Sequence, residues 1–143
     1  MPVIPAEWKT LIEQFVPFNR FLGIQLIELR EGFVRIELPF REEFIGDVLR
    51  PALHGGVIST LIDTCGGFAS WSKLGLTDRV STIDLRIDYL APGFAEVLVA
   101  EGNVVRIGNR ISVVDIRCFQ PSAPDRTVAT GKGVYNIKRG DET

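Results

Sequence analysis

A chain of 143 residues, 45% hydrophobic and 24% charged, has the size and balance of one ordinary globular domain able to close its own core. Its formal net charge of −2 offers neither the basic face that nucleic acid needs nor a cationic surface for a membrane. Two cysteines, Cys65 and Cys118, are too few for a disulfide framework and form no CxxC pair, so reduced thiols in a cytoplasmic protein are expected.

The first residues, MPVIPAEWKTLIEQF, show no basic stretch followed by an apolar run, so no signal peptide is expected. No apolar run reaches the roughly 18 residues that a membrane span requires. Residues 5–16 predict a short helix, with Pro5 in its first turn and Trp8, Leu11, Ile12 and Phe15 at helical spacing. Residues 23–29 and 32–39 predict two strands joined by a tight turn at Gly32. A loop of about 14 residues then runs from Phe40 to Leu53, a length that often carries function.

Residues 54–73 are the one long helix candidate. Beyond it the pattern has period two. In 82–89, Ile83, Leu85, Ile87 and Tyr89 alternate with Thr82, Asp84, Arg86 and Asp88, which predicts a half-buried strand. Pro92 and Gly93 break the chain, and Gly108-Asn109 predicts a hairpin between strands 95–106 and 110–119. Residues 127–138 predict the last strand, weakened or bulged at Gly131 and Gly133. The charged tail from Lys138 is expected to fray. Consecutive strands with short turns imply an antiparallel sheet, and the long helix must cover one face of it: an α+β domain, single over residues 1–143.

The long helix is the informative element. Residues 54–72 read HGGVISTLIDTCGGFASWS, without Lys, Arg or Glu; apart from His54, Asp63 is the only formal charge. A surface helix normally carries a charged face, so this one is expected to see little water. Val57, Ile58, Leu61, Ile62, Cys65, Phe68 and Ala69 make an apolar stripe suited to the sheet. Gly56, Ser59, Thr60, Asp63, Gly66, Gly67 and Ser70 make an opposite stripe of small residues, which suits close approach of a second subunit and predicts a homodimer. Interior glycines cost about 1 kcal/mol each relative to alanine, and such packing would offset that. A carboxylate there needs donors or a raised pKa. Asp63 fits a structural acid bonded to Ser59 or Thr60 as well as a catalytic one.

His54-Gly55-Gly56 opens this helix. Its first N–H groups lack internal partners, no side chain at Gly55 or Gly56 blocks them, and the helix dipole adds positive potential, which together suit a developing oxyanion. A glycine-softened junction with a satisfied histidine explains the same three residues. His54 is the only histidine, so no multi-histidine metal site exists, and its spacing to Asp63 and Cys65 fits no zinc pattern. Cys65 lies on the apolar stripe, the place of an inert thiol.

LHGGVISTLIDTCGG, with an acid nine positions after the histidine, resembles the hotdog-fold thioesterases of the PaaI-like group. STIDLRIDYLAPG, the RIGNR segment at 106–110 and the closing TGKGVYNI are similar to that family too, so the resemblance spans roughly residues 18–138. It implies an antiparallel sheet wrapped around the central helix, dimers or tetramers, active sites between subunits, acyl-CoA as substrate and no cofactor beyond it. It implies Asp63 as general base or nucleophile and the Gly55 N–H of a partner, with Gly56 beside it, on the thioester oxygen. His54 would orient that region, and Thr82, or else Ser81, would help place water. Many relatives carry Asn or Gln before HGG; residues 26–102 have neither, and Asp47 lies nearest that position. Coenzyme A phosphates would call on Arg106, Arg110, Lys138 or Arg139. Two competing functions stand beside hydrolysis. One is hydration or dehydration of enoyl-CoA on the same scaffold. The other is non-catalytic acyl-CoA binding.

Overall fold

The computed structural model describes residues 5–140. The amino-terminal segment is not one helix. Helix α1 (Ala6–Thr10) runs into a wider π-type turn over Leu11–Phe15, breaks at Val16, and restarts as α2 (Pro17–Leu22). The cause is Pro17, which pushes the residue before it out of the helical region; Val16 has φ −85° and ψ 108°. Gly23 ends α2 in the left-handed conformation, φ 81°, so strand β1 (Gln25–Arg30) starts later than its hydrophobic pattern predicts.

Gly32, also left-handed at φ 82°, turns β1 into β2 (Phe33–Leu38). The stretch expected as an open loop contains a short 3-10 turn at Glu42–Phe44 and a small hairpin, β3 (Ile45–Asp47) against β4 (Ala52–Leu53). Helix α3 (Gly55–Trp71) follows, then β5 (Arg79–Tyr89), β6 (Leu98–Ile107), β7 (Ile111–Phe119) and β8 (Ala129–Lys138). The main sheet has six antiparallel strands in the order β1-β2-β6-β7-β8-β5. It curls around α3, which packs on β2, β5, β6, β7 and β8.

The core is the contact between α3 and the inner face of this sheet. Ile58, Leu61, Ile62, Cys65, Phe68 and Ala69 are buried against Val34 and Ile36 of β2, Leu98 and Ala100 of β6, Val114 and Ile116 of β7, and Ala129 and Tyr135 of β8. Each fully buried Leu or Ile contributes about 1.5–3 kcal/mol. The helix is therefore held by one apolar stripe, as expected, although Val57 stays only half-buried.

The small-residue stripe divides. Gly56, Ser59, Thr60, Asp63 and Gly67 remain at least partly open, but Gly66 and Ser70 are buried within the protomer. Ser70 donates to Ser112 at 2.8 Å, and Gly66 lies against Tyr135. Those two positions serve the sheet of their own chain rather than a partner. Lys138 to Gly140, expected to fray, are held: Lys138 stands opposite Arg79 in the β5–β8 ladder, and the Gly140 N–H donates to Asp78 at 2.8 Å. The last three residues of the expected tail lie outside the described range. Among the described residues no helix is long and apolar enough to cross a membrane.

Candidate active site

Strand β5 lies on an edge of the sheet and contains a bulge between Thr82 and Asp84. Simple alternation from Leu85 and Ile87 would turn Ile83 inward and Thr82 outward. The extra residue inverts that parity. Ile83 is 56% exposed, whereas the Thr82 hydroxyl donates to Asp63 Oδ1 at 2.8 Å.

Tyr135 arrives from β8. Its hydroxyl donates toward the Asp63 backbone carbonyl at 3.1 Å and lies 3.5 Å from Asp63 Oδ1. Thr82, Tyr135 and Ser112 are successive cross-strand partners on β5, β8 and β7. With Asp63 and Ser70 of α3 they form a polar row in an otherwise apolar contact. Burial, and after it the Asp63 charge, pushes the tyrosine's pKa well above the ordinary 10.0, so the hydroxyl remains a donor. No described residue donates to Asp63 Oδ2.

Asp63 borders two small cavities. One, of about 220 Å³, is lined by Val16, Asn19, Thr64, Gly67, Phe68, Trp71, Val80 and Thr82. The other, of about 310 Å³, is lined by Phe18, Ser59, Thr60, Thr64 and Leu85. Ser59 and Thr60, the expected partners in a purely structural reading, donate to the Gly56 carbonyl instead. Phe18 also lines a larger, mostly apolar cleft of about 610 Å³ with Phe21, Leu22, Phe44 and Val57, to which Arg41 and Glu43 add charge.

The other end of α3 is a separate place. His54 is its N-cap: the ring Nδ1 accepts the Gly56 N–H at 2.8 Å, which fixes the neutral tautomer with its proton on Nε2. As first residue of the helix, Gly55 has no intrahelical acceptor for its N–H. The Tyr89 hydroxyl donates to the Gly55 carbonyl at 3.1 Å. A cavity of about 470 Å³ there is lined by Asp47, Arg50, His54, Gly55, Tyr89 and Leu90 among others. Asp47 accepts the Leu49 N–H at 3.0 Å and pairs with Arg50 at 3.0 Å. The Leu49 amide, followed by Arg50, holds its pKa below the ordinary carboxylate value. Asp47 is thus an ionised acceptor and cannot donate as an Asn or Gln there would.

Asp63 lies eight residues beyond Gly55, about 12 Å along a helix rising ~1.5 Å per residue. The structure therefore joins Asp63 with Thr82, and His54 with Gly55, Gly56 and Asp47, but does not bring the two groups together within one chain. Ser81, adjacent to Thr82 on the strand and paired with Asn136, points to the opposite face. Arg106 and Arg110 lie at the β6–β7 hairpin, two to three strands from the β5 edge. Tyr135 has no counterpart among the residues expected from sequence. Its signal is Gly133-x-Tyr135, two residues on one face of a strand, the first without a side chain.

Among the described residues no group of three His, Cys, Asp or Glu side chains is arranged to hold a metal. Both cysteines are buried, and burial pushes their thiols up, Cys118 to about 12.

Comparison with known proteins shows the family. The family described as Thioesterase superfamily matches residues 51–124, which include all of α3 and Thr82. The medium/long-chain acyl-CoA thioesterase YigI of Escherichia coli is 33% identical over 132 residues, covering 80% of this chain and 85% of that one. A solved protein of the thioesterase superfamily is 31% identical with a TM-score of 0.85, covering 92% of this chain and 97% of that chain. A Haemophilus influenzae thioesterase, 18% identical, shares the fold with a TM-score of 0.84 over 99% of this chain and 95% of that chain. The chain belongs to the thioesterase superfamily, with the hotdog fold, and it is a thioester hydrolase.

Proposed function

We propose that the protein hydrolyses acyl-CoA thioesters to free acid and coenzyme A, with Asp63 as the carboxylate that activates water or attacks the carbonyl itself. The observation that carries this reading is the placement of Asp63. It is the one acid of a helix without Lys, Arg or Glu, it borders two cavities, and Thr82 holds one of its oxygens while the other receives no donor among the described residues. Thr82 helps orient the water. The Gly55 N–H supplies the site for the thioester oxygen, where negative charge develops.

Since Gly55 and Asp63 of one helix stand about 12 Å apart, one thioester meets both only when they come from two subunits. A homodimer is therefore part of the proposal. Strand β5 is an edge of 11 residues carrying exposed Ile83 and Tyr89, an unpaired template that a second copy can extend. His54, engaged at Nδ1 as a helix cap, is poorly placed for the acid–base cycle of a hydratase.

The acyl group proposed is a medium or long chain. YigI supports this by its specificity, and the mostly apolar cleft of Phe18, Phe21, Leu22, Phe44 and Val57 supports it by adjoining one of the two Asp63 cavities through Phe18. Phe18 and Phe21 stack on each other with Arg41 over the Phe21 ring, yet remain 55% and 66% exposed, which leaves aromatic surface to cover an alkyl chain.

The decisive experiment is thiol release by Asp63→Asn on a panel of acyl-CoA esters. Asparagine keeps the shape and removes the base, so kcat falls about 100- to 10,000-fold while the sizing profile and thermal melt survive. Near-normal kcat in a correctly assembled variant would make Asp63 structural. On the same panel Phe18→Ala raises KM for long chains more than for acetyl-CoA; an equal effect on both would remove the cleft from the acyl path.

A further inference from the structure

We propose that Tyr135 is a positioning residue for Asp63: its hydroxyl, delivered through a slot that two glycines keep open, fixes where that carboxylate stands. The proposal rests on the catalytic reading of Asp63 given above. Tyr135 is 1% exposed, and its ring lies along β8 over Gly133. A Cβ on Gly133 would stand 2.4 Å from ring carbon Cε2. A Cβ on Gly66 of α3 would stand 2.1 Å from the hydroxyl oxygen and 2.8 Å from Cζ. Both distances are far inside atomic contact. The phenol therefore occupies this place only because a strand position and a helix position both lack side chains.

A buried hydroxyl must find an acceptor. Here both acceptors belong to one residue, the Asp63 carbonyl at 3.1 Å and Asp63 Oδ1 at 3.5 Å. Thr82 meets the same Oδ1 from the edge strand at 2.8 Å. The main chain and the carboxylate of Asp63 are thus held from two adjacent strands of a rigid sheet. A phenylalanine would fill the same core volume, so packing alone gives no reason for the hydroxyl. The helix glycine that costs stability, the strand glycine that weakens β8 and the tyrosine between them acquire one common purpose.

The test is Tyr135→Phe in the full chain, alone and combined with Asp63→Asn. Expected for the single variant is a normal sizing profile and a kcat lower by roughly 10- to 100-fold, the worth of one hydrogen bond to a charged group, with KM within about twofold. In the Asp63→Asn background, Tyr135→Phe leaves the residual rate unchanged, since it acts only through the missing carboxylate. An unchanged kcat in the single variant overturns the inference while leaving Asp63 catalytic. A loss in the double variant equal to that in the single overturns it as well, by making Tyr135 independent of Asp63. Near-normal kcat for Asp63→Asn alone would sink the underlying reading and this inference with it.

Discussion

Thr82 reaches Asp63 because β5 carries one residue more than its partner strand at that point. Removing the hydroxyl while keeping the branched shape isolates its contribution. Thr82→Val is expected to lower kcat about tenfold with little change in KM, and Thr82→Ser to recover most of the loss; steady-state kinetics on one good substrate decides. Equal rates for Val and wild type would reduce Thr82 to a filler of the strand edge. The buried acids of the core set a second, unrelated limit. Tyr135, Cys65 and Cys118 are all pushed above their ordinary values of 10.0, 9.0 and 9.0, chiefly by burial. A raised pKa stabilises the fold fully below the unfolded value and loses that contribution as pH climbs toward the folded one. Urea denaturation is therefore expected to show stability falling between pH 9.0 and about 12, less steeply in Tyr135→Phe; a flat profile contradicts the burial of these groups.

Helix α3 sits so close to β8 that a Cβ on Gly131 would stand 2.4 Å from Ile62 Cγ2. Gly131→Ala should overpack this contact and cost about 1–3 kcal/mol. Ile62→Ala should leave a cavity and cost about 2–5 kcal/mol. Together the new methyl fills part of the void, so the double variant loses less than the sum, which thermal melts of the three proteins can measure. The same elements explain what was legible in the sequence. The run 54–72, charged at neutral pH only at Asp63 apart from His54, and the period-two strands announced α3 and most of the sheet, because one-sided burial writes itself as periodicity. The amino-terminal break was written too, in Pro17, but Trp8, Leu11, Ile12 and Phe15 carried the helical pattern up to it. The bulge was not legible, since Ile83 is as apolar as its inward neighbours Leu85 and Ile87. Nor was Tyr135: its contact with Asp63 spans 72 positions in the chain and depends on two glycines that read locally as weaknesses.

At the scale of the assembly, the spacing of Gly55 and Asp63 on one helix makes a prediction that no single-chain active site would share. If each site takes Asp63 from one subunit and the Gly55 N–H from the other, two dead variants can repair each other. Asp63→Asn removes the carboxylate. Gly55→Pro removes only the N–H, since proline suits the first position of a helix. His54 before it is already extended, with φ −64° and ψ 134°, as a residue preceding proline must be. A Cβ at position 55 would lie 3.5 Å from the Tyr89 ring, an ordinary contact. Each variant alone forms dimers in which both sites are broken. In a mixed dimer one site carries both lesions, and the other combines the intact Asp63 of the proline variant with the intact Gly55 of the asparagine variant. Random exchange of equal amounts makes half the dimers mixed, each with one working site, so thiol release should recover to about a quarter of the wild-type rate. Recovery must follow subunit exchange, appearing after mild denaturation and refolding of the mixture and not on brief mixing of stable dimers. No recovery after verified exchange would place the two groups in the same subunit's chemistry, or one of them outside it, and the two-subunit site would have to be abandoned.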